Sequence, residues 1–174
     1  VYMDDIILPS LNEEDGLEKL RKVLALAEKH NLKIKWEKCQ FLCRKVNFLG
    51  YIIEDSKIKP SDEKTRSIAN FPMPNDKKSL QRFLGLTSYF RRFIKDYAII
   101  AKPLSDLLRK DAVFKINEEQ LIAFEELKIK LSSEPVLNLY NPKAVTEVHT
   151  DASMFAYGAV LLQKNSDDQE HPVE

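Results

Sequence analysis

Two adjacent carboxylates, Asp4 and Asp5, stand between the apolar runs "VYM" and "IIL", with no basic residue near them. Held on a tight turn, such a pair offers hard oxygen ligands to Mg²⁺. That cation takes one or two carboxylates and keeps waters or substrate phosphates in its other positions. The same dipeptide also occurs as a plain solvated turn. A second constellation lies mid-chain, where Gln81, Gly85 and Tyr89 recur at i, i+4 and i+8, so that a helix sets them in one line. Amide, glycine and aromatic make a poor core stripe. They suit a surface sliding along a duplex minor groove, where Gln hydrogen-bonds, Gly allows approach and Tyr packs on sugars; the alternative is the solvated face of an amphipathic helix. Cys39 and Cys43 are the only cysteines. A zinc site would need two further ligands from His30, His149 or His171, none at a finger-like spacing, so reduced thiols are the preferred reading.

The surrounding charge supports a polyanion contact. The 174 residues have zero formal net charge, yet Lys77 to Lys110 hold nine Lys/Arg against two Asp. Asp111 to Glu174 hold twelve acids against five bases, and residues 1–76 balance. A basic stretch inside a neutral chain marks either a nucleic-acid surface or a solvated helical face. With 44% hydrophobic and 31% charged residues the chain suits one to three small folded units. No apolar run approaches the ~20 residues needed to cross a bilayer, and no signal peptide is legible.

The elements that must position these residues are read from periodicity. "VYMDDIIL" predicts a hairpin with the Asp pair in its turn, and Glu13 to His30 predicts an amphipathic helix closed by Asn31. "LKIKWEKCQFLCRKVNFLGYIIED" alternates and predicts two or three short strands, with Gly50 inside marking a bulge or a close approach. Ser61 is an N-cap candidate for a short helix stopped by Pro72 and Pro74. A longer helix starts at Asn75 or Asp76, carries Leu80 through Tyr97 and breaks at Lys102-Pro103, after which "LSDLLRKD" adds another. "NEEQLIAFEELKIKLSSEP" is a further helix, and the tail predicts two antiparallel strands joined around Ser153 to Tyr157, with Asp167, Asp168 and Glu170 in a solvated turn.

Tyr2-Met3-Asp4-Asp5 resembles the Y-x-D-D box of the reverse transcriptase palm. Downstream, "KCQF", "VNFLGYII", "IKPSDEKTRSIANFPMP", "LQRFLGLTSYFRRFI", "IAKPLSDLL", "AFEELK", "TDAS" and "YGAVLLQ" follow in the order found in the Pol polyprotein of gypsy-type LTR retrotransposons. The resemblance implies an α+β chain: palm-end hairpins with one helix over 1–58, a basic helical thumb over 59–112, then a connecting helix and the first strands of a ribonuclease H-like fold over 113–174. By the same resemblance Asp4 and Asp5 are two of three palm carboxylates that hold two Mg²⁺ ions, with Tyr2 and Met3 beside the primer end. "FLGY", Phe48 to Tyr51, resembles the primer grip, with Phe48, Leu49 and Gly50 as its nucleic-acid-binding residues; an ordinary core strand with a bulge is the alternative. Gln81, Gly85 and Tyr89 match the thumb's minor-groove helix, with Arg82, Arg91, Arg92 and Lys95 placed for phosphates. Asp151 matches the first metal-binding carboxylate of ribonuclease H.

Implied partners are an RNA/DNA template-primer duplex, dNTPs and the other domains of the polyprotein, in an intracellular setting, the element's cytoplasmic virus-like particle. No membrane is implied, and oligomeric state stays open. Ser56 departs from a common turn Gly, and Ile116 from a usual Trp. The expectation is a fragment that is inactive by itself at both sites. The alternatives are a truncated or host-retained copy that only binds nucleic acid through the thumb, and a scaffold with no nucleic-acid role.

Overall fold

The computed structural model describes residues 1–133, 135–152, 154, 157–164 and 170–173. It mixes helix and strand, as the α+β expectation requires. Helix α1, Glu13–Lys29, starts where Asn12 accepts a hydrogen bond from the Asp15 amide, and its first turn carries Glu13, Glu14 and Asp15 against the positive end of the dipole. Asn31, at φ 53°, closes it. Ala27 is the buried residue of α1, while Leu17 and Leu26 stay exposed.

Strands are absent from residues 33–44, contrary to the alternation. Trp36–Lys38 form a 3-10 turn there, and Trp36, Phe41 and Leu42 are exposed. Alternation predicts a strand only if a partner edge supplies hydrogen bonds, and this segment has none among the described residues. Two of the two or three strands expected in this stretch do form, later in it, and a third follows: β1 (Lys45–Phe48), β2 (Tyr51–Glu54) and β3 (Lys57–Pro60), each antiparallel to the next. β3 runs across residues 58 and 59. A fourth strand, β4 (Leu137–Asn138), returns from much later in the chain to pair with β3.

The helical part holds the core. Helix α2, Asp62–Ala69, follows Ser61. Helix α3, Lys77–Tyr89, is capped by Asp76, whose carboxylate accepts the Ser79 amide at 2.6 Å; that backbone hydrogen bond holds the Asp76 carboxyl below its usual range. The expected continuation of α3 to Lys102 does not occur. The chain leaves the helix at Phe90, makes a 3-10 turn at Arg91–Phe93, passes Asp96 at φ 61° and starts α4 at Tyr97. Conversely, Pro103 breaks nothing: α4 runs Tyr97–Asp106 through it and absorbs the helix expected at "LSDLL". The proline removes one intrahelical bond, and burial of Ala101 and Leu104 on either side offsets that loss.

Helix α5, Glu118–Ser132, packs on α2 and α4 and completes the core with Phe124, Leu127 and Leu131, all essentially inaccessible. Its start is fixed by Gln120, whose side-chain oxygen accepts the Asn117 amide at 3.1 Å. Phe83 of α3 sits 4.5 Å from the Phe124 ring and 5.3 Å from Phe71. Ile116, at the position that departs from Trp, packs partly buried against this core. A separate three-stranded sheet ends the chain: β5 (Thr146–Ala152), β6 (Tyr157–Lys164) and β7 (Glu170–Pro172), all antiparallel. β5 and β6 were expected; β7 was not, and it takes Glu170 out of the turn into a strand. Ser153, Asp167 and Asp168 lie outside the described residues.

Candidate nucleic-acid interface

Of the expected hairpin only a tight turn forms, with no strand among the described residues before α1; it holds Asp4, while Asp5 lies in the bridge that closes it. Tyr2 and Asp5 exchange two backbone hydrogen bonds of 2.9 Å, closing a two-residue turn at Met3–Asp4 with Met3 at φ 48°. Tyr2, Met3, Asp4 and Asp5 are all exposed. Two carboxylates held on a turn and open to solvent fit a hard divalent cation.

Gly50 is neither a bulge nor a mid-strand residue. Leu49 and Gly50, at φ 51° and 79°, form the two-residue turn between β1 and β2, the positive-φ pattern of a type I′ hairpin. Glycine meets no Cβ penalty there. Phe48 stands beneath this turn, paired with Tyr51. The turn is also held from outside: the Ser61 amide donates to the Gly50 carbonyl at 2.9 Å, and the Tyr89 hydroxyl to the Leu49 carbonyl at 2.7 Å.

The other half of the site is the outer face of α3. Gln81, Arg82, Gly85 and Tyr89 are exposed there, while Leu80, Phe83, Leu84 and Thr87 are buried on the opposite face. A Cβ built on Gly85 would meet nothing within 4 Å. The helix pays about 1 kcal/mol for a mid-helix glycine relative to alanine, and nothing inside the chain requires it. Between turn and helix lies a cleft of about 560 Å³, lined by Leu49, Gly50, Lys64, Gly85, Leu86, Tyr89 and Phe90. Two expected groups, the hairpin and the helical stripe, thus share one surface.

Arg91 and Arg92 do not continue the α3 face, because they belong to the 3-10 turn. The Arg92 guanidinium lies 4.6 Å from the centre of the Tyr51 ring, a cation–π contact. Tyr51 itself, left out of the residues expected to bind, ties the two halves together. Its hydroxyl donates to the Tyr89 carbonyl at 3.2 Å and its ring stacks on Tyr89 at 5.3 Å. Burial, then the Tyr89 contact, pushes its phenol up to about 12. The signal for Tyr51 lay in "FLGY", where the aromatic immediately follows the turn. Lys64 had no comparable signal, since only the fold brings α2 beside Gly50.

In the second sheet, Asp151 lies exposed on β5, as implied, and its Oδ1 accepts the Ala152 amide at 2.9 Å. A cluster that sequence reading missed lies beside it: ligand atoms of Glu147, His149 and Glu170 fall within 4.8 Å of one another, without Asp151. Glu147 and His149 meet at 3.2 Å as i, i+2 neighbours on one strand face, and all three are at least partly exposed. Cys39 is half-buried and Cys43 exposed; both are free, and neither joins a three-ligand group among the described residues. No helix among the described residues is long and apolar enough to cross a membrane.

Residues 1–53 match the family model for reverse transcriptase (RNA-dependent DNA polymerase), and residues 116–174 match that for the RNase H-like domain found in reverse transcriptase. The retrovirus-related Pol polyprotein from transposon 297 of Drosophila melanogaster is 38% identical over 174 residues, taking in 99% of this chain and 16% of that polyprotein. Among solved structures, the foamy viral protease-reverse transcriptase dRH in complex with ds DNA superposes with a TM-score of 0.81 at 25% identity, covering 98% of this chain and 30% of that one. The foamy viral protease-reverse transcriptase in complex with RNA/DNA hybrid gives 0.79 at 25% identity, covering 98% and 23%. The chain therefore spans under a third of the length of each of these relatives. Both domain models thus match in order on one chain, and the chain is similar over 99% of its length to a transposon Pol polyprotein.

Proposed function

We propose that this segment holds a template-primer duplex for an RNA-directed DNA polymerase with ribonuclease H activity, the polymerase and nuclease steps belonging to the whole polyprotein. The observation that carries the reading is Gly85. A glycine in the middle of α3, with open space where its side chain would stand, makes sense as an approach for something outside the chain. A minor-groove wall fits, with Gln81 and Tyr89 flanking it and Arg82 at its edge. The complexes with ds DNA and RNA/DNA hybrid seen in the foamy viral enzymes support the same reading.

In this scheme residues 1–58 close a palm, 59–112 form a thumb and 113–174 open a ribonuclease H-like fold. Asp4 and Asp5 would hold Mg²⁺ in the palm, and Asp151 in the nuclease. Mg²⁺ held in the palm would supply Lewis-acid activation of a primer 3′-hydroxyl and charge neutralisation at the pyrophosphate of a dNTP. The chain's own part is to hold the two carboxylates open to solvent and to fix the primer terminus against the Leu49–Gly50 turn.

Gly85→Ala separates function from folding. It should raise stability by about 1 kcal/mol in thermal melts, through helix propensity. It should also weaken binding of a labelled duplex, measured by anisotropy across a salt series, because the methyl stands where the groove wall would approach. A variant that gains stability and keeps full affinity would overturn the reading, as would a wild-type affinity independent of salt.

A further inference from the structure

Lys64 is the one charged residue lining the cleft between the hairpin and α3, and it comes from neither of them but from α2. Its side chain is half-buried along the glycine turn, with Cε 3.5 Å and Cγ 3.7 Å from where a Cβ on Gly50 would stand. Among the described residues it makes no ion pair. The other walls are the Leu49–Gly50 backbone, Gly85, Leu86 and two aromatic rings, Tyr89 and Phe90. A long cation lays its aliphatic stem along a turn in this way, and Lys64 does so at the wall of a cleft whose other lining residues carry no charge. Gly85 leaves a stretch of wall with open space where a side chain would stand, whereas the Cβ position of Gly50 is already flanked by the Lys64 stem and the Tyr89 ring. That combination suits a sugar–phosphate chain: the open Gly85 face admits its backbone, and an ammonium can meet one phosphate as a point charge.

We infer that Lys64 binds a phosphate of the nucleic-acid strand lying in this cleft, fixing that strand against the Leu49–Gly50 turn. The inference rests on the duplex-binding reading and adds a contact from α2 that the helical stripe does not contain.

The test uses the 174-residue chain and a labelled duplex with a recessed 3′ end, with affinity followed between about 50 and 200 mM salt. Lys64→Met keeps the stem and removes the charge; it should reduce the magnitude of the log–log salt slope by about 0.9 and weaken binding roughly threefold to tenfold at the middle of the range. Lys64→Arg should restore the slope. Lys143→Met, a control in the exposed turn before β5, should change neither. Replacing phosphates one at a time by neutral methylphosphonates should reveal one or two positions whose loss weakens wild type but not Lys64→Met. An unchanged slope in Lys64→Met, beside a salt-dependent wild type, overturns the Lys64 contact and leaves duplex binding standing. A salt-independent wild type overturns both. Equal methylphosphonate sensitivity in wild type and Lys64→Met at every position also overturns the contact.

Discussion

The turn at Met3–Asp4 and the turn at Leu49–Gly50 both reverse the chain over two residues, with φ of 48° at Met3 and of 51° and 79° at Leu49 and Gly50. The first is closed by its own pair of backbone hydrogen bonds and leaves its side chains in solvent. The second is gripped by the Ser61 amide, the Tyr89 hydroxyl and the stem of Lys64. On the function proposed above, the difference follows from what each turn would have to offer. Ionised carboxylates need only a local scaffold and water, and burying them would cost several kcal/mol. A turn that positions a primer offers its own backbone, and a backbone is placed accurately only if neighbouring elements hold it.

Three experiments sharpen that contrast, beginning with the strongest. Phe83→Ala removes a fully buried ring that touches Phe71 and Phe124, and should cost about 3–5 kcal/mol in thermal or urea unfolding. Amide exchange should accelerate across the Leu49–Tyr51 turn, which depends on α3, and stay unchanged at Asp5. Equal acceleration at both turns would erase the distinction.

Next comes a pair of opposite substitutions on one backbone conformation. Gly50→Ala puts a side chain at φ 79° and should destabilise by about 1–2 kcal/mol. Ser56, at φ 59° in the Asp55–Ser56 turn between β2 and β3, already bears that strain, so Ser56→Gly should stabilise by about 0.5–1 kcal/mol. Melting temperatures that move in the same direction for both would show that φ does not govern these turns.

The last effect is confined to alkaline pH and is absent at neutrality. The Tyr51 phenol ionises at about 12 in the fold, against 10.0 for an unperturbed tyrosine. Between those values the unfolded chain has lost its proton and the folded chain has not, so the stability Tyr51 contributes is complete below pH 10 and is lost as pH rises toward 12. Tyr51→Phe should flatten this part of the pH–stability curve. A curve of unchanged steepness would show that the Tyr51–Tyr89 seam does not bury the phenol.

Much of this arrangement was legible before any coordinates. The Asp turn, α1, α2, the Asp76 cap of α3, α5 and the β5–β6 pair all follow from short-range signals: caps, turn residues and periodicity. The failures share one cause. Residues 33–44 alternate like a strand yet find no partner, and Lys102-Pro103 reads as a break yet lies within α4. The actual interruption, Phe90 to Asp96, carries no Pro or Gly to announce it. In each place a local rule competed with burial, and burial depends on elements far away in sequence.

The sequence by itself determined which groups are available: an acidic doublet on a turn, a Gln–Gly–Tyr line on a helix, an Asp on a late strand and the glycine in "FLGY". Only the tertiary structure decided which of them share a surface. It set α3 against the hairpin through Tyr51 and Tyr89, turned Arg92 onto a ring, and brought Lys64 beside Gly50. Residue spacing encodes the face of a single element, whereas contacts between elements arise from packing of the Phe83 core, which no local pattern specifies.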